Sequence, residues 1–191
     1  MTSVKDAVAI AGQVVPALSV RARALVVAIG GLETHWGDNF HQSDGSPSNN
    51  WGAITKGSVW TGPTFSHGDT RWNEQTQSNE SYSTEFRVYP TPLAGASDLA
   101  SLLRHQYATA LAAAERGDWK GASAELYKHG YYSGKGPAAQ AIADHYAALK
   151  KELLAMGITP GVAAAAIGTE WLLWFAVGWF IIRHRKGRVK S

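Results

Sequence analysis

Ala28-Ile29-Gly30-Gly31-Leu32-Glu33-Thr34-His35-Trp36-Gly37 is the stretch that decides how this chain folds. One carboxylic acid stands near the end of an apolar run, directly before a glycine and a long polar segment. Val20 to about Trp36 reads as a single helix, with Ser19 placed to cap it. Its apolar set (Ala24, Leu25, Val27, Ala28, Ile29, Gly31 and Leu32) covers most of the circumference, so the helix belongs at the centre of a core. Ile29, Gly30, Trp36 and Gly37 lie three and four residues from Glu33 and share its face. Apolar surroundings of this kind disfavour a carboxylate and raise its pKa. An acid that must hold a proton near neutral pH, such as the general acid of a glycosidase, needs that setting. The small neighbours are expected to leave room for a sugar ring. A solvated helix-end glutamate, or a buried one paired with an arginine, remains an alternative on this segment alone.

Outward from this helix, residues 4–15 place Val4, Ala7, Val8, Ala11, Val14 and Val15 at helical spacing, and Pro16 ends the run. On the other side, Gly37 to Gly68 is rich in Gly, Ser, Asn, Pro and Asp, with Trp51 and Trp60 embedded. Loops of this length inside compact domains are usually functional. Thr70–Thr76 and Ser81–Tyr89 read as two strands around a turn near Ser78-Asn79, and Pro90 and Pro92 end the second. Helix returns from about Leu93 to Arg116, then from Trp119 to Lys128 behind the cap Asp118, and finally from Ala138 to Met156. The expected fold class is α+β and mainly helical, with a β-hairpin lobe set between helices.

The 191 residues suffice for one good core but not for two large domains. There are no cysteines, so neither a disulfide framework nor a thiolate metal site can form. Of the 18 basic residues, five (Arg183, Arg185, Lys186, Arg188 and Lys190) lie in the last nine positions. The remaining 13 face all 15 acidic residues, so the body of the chain is faintly acidic and offers no nucleic-acid footprint. His35 and His41 are six apart with a loop between them, a poor spacing for zinc, and no metal or other cofactor is expected. Met1 to Val8 lacks the basic and apolar regions of a secretory leader.

Residues 1–156 therefore form the expected domain, 157–161 a hinge, 162–182 a transmembrane helix and 183–191 a basic tail of cytoplasmic type. The 21 residues Val162–Ile182 carry one charge, Glu170, and are long enough to cross a bilayer. Trp171, Trp174 and Trp179 suit membrane interfaces. Glu170 opposes insertion by about 2.5–3.5 kcal/mol, which the apolar run offsets; a buried or amphipathic surface helix is the alternative. Ala164 and Gly168 would permit close packing against a second copy of the helix or another membrane protein.

Four short motifs, in order, resemble the lysozyme-like N-acetylglucosaminidases of glycoside hydrolase family 73, which include the flagellar rod-associated wall hydrolases. They are Leu32-Glu33-Thr34-His35-Trp36-Gly37, Asn49-Asn50-Trp51-Gly52-Ala53-Ile54, Phe86-Arg87-Val88-Tyr89 and Gly130-Tyr131. The second departs from the family pattern, since Gly52-Ala53-Ile54 stands where Gly-Ile is usual. The resemblance spans roughly residues 4 to 155 and implies a lysozyme-like fold, peptidoglycan glycan strands as substrate and Glu33 as the catalytic acid. It also implies a second carboxylate on the first hairpin strand. Glu74, twelve residues before Phe86, fits that place best, with Asp69, Glu80 and Glu85 as rivals. Asn50, Trp51, Tyr131 and Tyr132 are the candidate substrate-binding residues, the aromatic ones as flat covers for sugar rings. Trp36 is expected in the core. Retention, inversion and substrate assistance all stay open.

Two other functions compete with the glucosaminidase: a muramidase or lytic transglycosylase of the same fold, and a non-catalytic protein that binds the wall. The expected partners are peptidoglycan, a membrane through the C-terminal helix, and either a second copy or other virion proteins. A membrane anchor without a leader points to an enzyme carried in a phage particle, with a bacterial envelope enzyme as the alternative.

Overall fold

The computed structural model describes residues 2–14, 18–73, 75–133 and 137–159, with 69–72 taken by their backbone alone. Among the described residues, six helices and one hairpin follow in the order α1 (Val4–Val14), α2 (Val20–Thr34), β1 (Thr64–Asn73), β2 (Ser78–Arg87), α3 (Pro92–Gln106), α4 (Ala108–Glu115), α5 (Trp119–Lys128) and α6 (Ala138–Ala155). The architecture is α+β and mainly helical, as the hydrophobic periodicity requires.

Helix α2 is the central element. Ser19 caps it, its side chain accepting from the Ala22 N–H at 3.1 Å. From Ala24 to Gly30 every residue is buried, because α1, α3, α4 and α6 surround it. A helix that is apolar all round has no solvent face to offer. Gly30 lets two rings close on the helix. A Cβ there would stand 2.8 Å from Trp51 Cε3 and 2.9 Å from Trp36 Cδ1. At Gly31 a Cβ would meet Glu152 Oε2 of α6 at 2.5 Å. The space beside these glycines is therefore filled by protein, and the room expected there for a sugar ring does not exist.

The hairpin starts earlier than the sequence reading places it. Phe65 of β1 is buried opposite Phe86 of β2, and Phe40 from the preceding loop packs edge-on against both rings, at 4.9 and 4.7 Å. This aromatic cluster draws Thr64 to Gly68 out of the loop and into the strand. The reversal also comes earlier, because Asn73 Oδ1 accepts from the Gln75 and Thr76 N–H groups at 2.8 and 3.2 Å. Such an Asx turn starts the reversal at Asn73 instead of Ser78. Asn73 then pairs with Ser78, and the two strands form a two-stranded antiparallel sheet.

The single helix expected over Leu93–Arg116 is two helices, broken at Tyr107 (φ −128°, ψ 35°). The Tyr107 ring is buried edge-on to Tyr131 at 5.2 Å, so side-chain packing at the break replaces helical continuity. Asp118 caps α5 through the Gly121 N–H at 2.8 Å, as expected. The expected membrane helix 162–182 and the tail lie outside the described residues. Among the described residues no helix is long and apolar enough to cross a membrane.

Candidate active site

Glu33 is the penultimate residue of α2 and is half-buried. Three successive residues in the left-handed region stop the helix behind it: His35 (φ 51°), Trp36 (φ 58°) and Gly37 (φ 87°). The strain at the two non-glycine positions is held by surrounding bonds. His35 and Trp36 donate their backbone N–H groups to Gly31 O and Gly30 O, at 3.2 and 2.8 Å. The Trp36 indole donates to Val27 O at 2.9 Å. Thr34 Oγ1, fully inside, donates to Trp51 O and accepts from the Gly37 N–H, both at 2.9 Å. Glu33 therefore projects from a fixed stump.

In front of it lies an open pocket of about 270 Å³. Leu32 and Glu33 of α2 form one side, Tyr132 and Ser133 from the α5–α6 connection another, and Asp144 and His145 of α6 the third. Tyr131 lies near Glu33. Burial pushes the Tyr131 phenol well above its usual range, and the nearby Glu33 and Tyr107 push it further in the same direction. Tyr131 thus stays a neutral donor beside the acid, its hydroxyl resting on Gly52 O at 3.2 Å. His145 is held neutral by burial, its pKa pushed down to about 4.

Of the residues singled out from sequence, Glu33 and Tyr132 line this pocket, and Tyr131 lies near enough to Glu33 for its phenol to feel that charge. Asn50 and Trp51 do not, and their expected role as sugar contacts is corrected. Trp51 has no exposed surface; its ring lies against Gly30, inside the core. Asn50 is equally buried and its amide is fully engaged. Its Nδ2 donates to Ile54 O at 2.9 Å and Arg87 O at 3.0 Å, while its Oδ1 accepts from the Ile54 N–H at 2.8 Å. Asn50 thus fastens the long loop to the end of β2. Glu74 lies outside the described residues. Among its rivals, Glu85 is exposed and paired with Lys56 at 2.8 Å.

Phe86-Arg87-Val88-Tyr89 works as a clasp. Arg87 Nε donates to Thr55 O at 2.9 Å and its Nη1 to Asp98 Oδ2 of α3 at 2.7 Å. The Tyr89 hydroxyl donates to the same Asp98 oxygen, and the Arg87 guanidinium lies 5.0 Å from the Trp60 ring centre. The motif locks hairpin, loop and α3 together. Asp144 and His145 were not found by sequence reasoning. The available signal was a histidine at position 145 between Ala141 and Leu149 on the buried stripe of α6. Among the described residues no group of three or more His, Cys, Asp or Glu could hold a metal ion.

Comparison with known proteins extends the picture. A family model described as glucosaminidase, mannosyl-glycoprotein endo-β-N-acetylglucosaminidase, matches residues 9–160. No curated protein sequence matches the chain. Among solved structures, a peptidoglycan hydrolase from Sphingomonas sp. A1 superposes with a TM-score of 0.54 at 27% identity, covering 83% of this chain and 92% of that one. A mutant of the same hydrolase gives a TM-score of 0.56 at 26% identity, over 78% and 92% of the two chains. The glycoside hydrolase domain of FlgJ from Salmonella typhimurium gives 0.49 at 24% identity, over 81% and 91%.

Proposed function

The chain belongs to the glucosaminidase family of glycoside hydrolases, and from that premise we propose that it cleaves β-1,4 bonds in peptidoglycan glycan strands, with Glu33 as general acid. The observation that carries this reading is the placement of Glu33. It is a half-buried carboxyl on a rigid helix end, lining a pocket, with the neutral Tyr131 phenol nearby. In the reaction Glu33 protonates the glycosidic oxygen as the bond to the anomeric carbon lengthens. The substrate is carried over from the Sphingomonas hydrolase, whose fold this chain shares along most of both lengths. Cleavage on the N-acetylglucosamine side follows from the family.

Glu74 stays the proposed second carboxylate, on the sequence resemblance. Asp144, which lines the pocket beside Glu33, is its described rival. The decisive experiment is digestion of purified peptidoglycan by wild type and Glu33→Gln, with mass analysis of the products. Loss of clearing in Glu33→Gln, together with N-acetylglucosamine reducing ends, is expected. Products ending in 1,6-anhydro sugars would assign a transglycosylase instead, and undiminished clearing would remove Glu33 from the chemistry.

We further propose that 162–182 anchors the enzyme in a membrane, on the strength of its apolar length and basic flank. Carbonate extraction of membranes from expressing cells tests this; release of the full chain into the soluble fraction would overturn it. Recovery of the protein from purified phage particles would support the virion location.

A further inference from the structure

Tyr132, one wall of the Glu33 pocket, lies outside any helix, in the connection between α5 and α6. It is nevertheless held on several sides. Its ring stacks on the His145 imidazole with centroids 3.8 Å apart and planes 6° apart. Its hydroxyl donates to the Ser123 carbonyl at 3.0 Å. Ser123 is fully buried on α5, and its own hydroxyl lies 2.7 Å from His145 Nδ1. Tyr127 closes the cluster with a T-shaped contact to Tyr132 at 5.5 Å. The imidazole is neutral, and its other nitrogen, Nε2, is buried. That nitrogen has no hydrogen-bond partner. A buried polar atom left unpaired is costly, and a leucine would fill the same stripe of α6 without that cost. The histidine brings what leucine lacks: a flat face for the phenol and a ring nitrogen within hydrogen-bond reach of Ser123.

We propose that His145 is a positioning residue, which through its stack on Tyr132 sets the wall that receives the glycan beside Glu33. This rests on the reading of the pocket as the glycan site. Tyr132 must present one orientation to a sugar ring, and a side chain that is fixed before binding loses less freedom on binding. His145 contributes through Tyr132 and not through contact with the reacting atoms. Its removal should therefore change affinity more than turnover.

The test uses the full chain in a Glu33→Gln background, which binds without cutting, titrated calorimetrically with an uncross-linked peptidoglycan tetrasaccharide. His145→Ala and His145→Leu are expected to weaken binding by about tenfold, the scale of one lost aromatic pair. His145→Phe keeps a flat ring and should stay within about twofold of the parent. In the Glu33 enzyme, His145→Leu should raise KM with kcat nearly unchanged, and His145→Phe should restore KM. Circular dichroism checks that each variant is folded; leucine matches the buried volume should alanine disturb it. Leucine binding as tightly as phenylalanine, or phenylalanine as weakly as leucine, would overturn the assignment. So would an effect on kcat alone. If wild type neither cuts nor binds glycan, the function fails and this assignment fails with it. If wild type cuts and the variants bind alike, only the positioning role fails.

Discussion

Lowering the pH from 7 to 4.5 should weaken the fold, and His145 should carry a measurable share of the loss. In the unfolded chain its imidazole takes up a proton near pH 6.5. In the folded protein burial delays that uptake to about 4. Between these values the unfolded state binds more protons, so stability falls as the pH falls, and the loss is complete below about 4. Integrating the two titrations gives a deficit of about 0.2 kcal/mol at pH 7 and about 2.5 kcal/mol at pH 4.5, a difference of about 2 kcal/mol. Asp144 on the same helix and Glu33 on α2 line the pocket with His145, while Tyr132 and Ser123 contact it directly. Hydrogen bonds lower the Asp6 carboxyl pKa through Ser3 and the Glu85 pKa through Lys56. Those groups lose their stabilising effect as the pH falls through their ordinary values towards the lowered folded ones, in wild type and variant alike. The measurement is urea denaturation of wild type and His145→Phe at both pH values. The phenylalanine variant keeps the ring but cannot titrate, so it should lose about 2 kcal/mol less than wild type. Equal losses in the two proteins would refute the buried neutral state of His145.

Asn50→Ala would strand the Ile54 N–H and take one donor each from Arg87 O and Ile54 O, the latter keeping the Arg87 N–H at 3.0 Å. A stability loss of about 2–4 kcal/mol by urea denaturation is expected, from an unpaired cost of about 1–3 kcal/mol per group. Gly30→Ala should cost about 1–3 kcal/mol through overpacking against Trp36 and Trp51, read as a lowered melting temperature. For the second carboxylate, Glu74→Gln should lower kcat on purified wall about 100-fold or more, and Asp144→Asn less than about tenfold. The reverse order would move that role to α6.

What could be read from sequence followed what is local. The Ser19 and Asp118 caps depend on side chains bonding to backbone three residues away, and both are where their spacing puts them. The burial of α2 follows from an apolar circumference that admits no other place. The hairpin start was misjudged because Phe65 is drawn inward by Phe40 and Phe86, which are distant in sequence. Tyr107 breaks a helix that its own neighbours would continue, because its ring packs against Tyr131. Near the site, the helix-end position of Glu33 was legible because the apolar run containing it stops one residue later. Trp51 and Asn50 were misjudged for the converse reason. A tryptophan on a sugar and a tryptophan against a glycine have the same local sequence. Asp144 and His145 join Glu33 only through the packing of α6 on α2, which no local spacing encodes.

The way α2 ends also separates two kinds of chain on either side of one neck. Gly37 and Asn49 meet so closely that a Cβ on Gly37 would stand 2.7 Å from Asn49 Cα. Just beyond, the Ser48 N–H donates to Phe40 O at 2.9 Å, and His41 bridges Pro47. The intervening tip, with Ser43, Asp44 and Gly45 exposed, is an excursion whose two ends are already joined. Lengthening such a loop costs little, since closure entropy grows only slowly with length. The tip between His41 and Pro47 is therefore a natural graft point. A peptide tag, a fluorophore or a foreign wall-binding segment placed there should leave the acid's coordinates untouched, because the clamp that fixes them closes below the insertion.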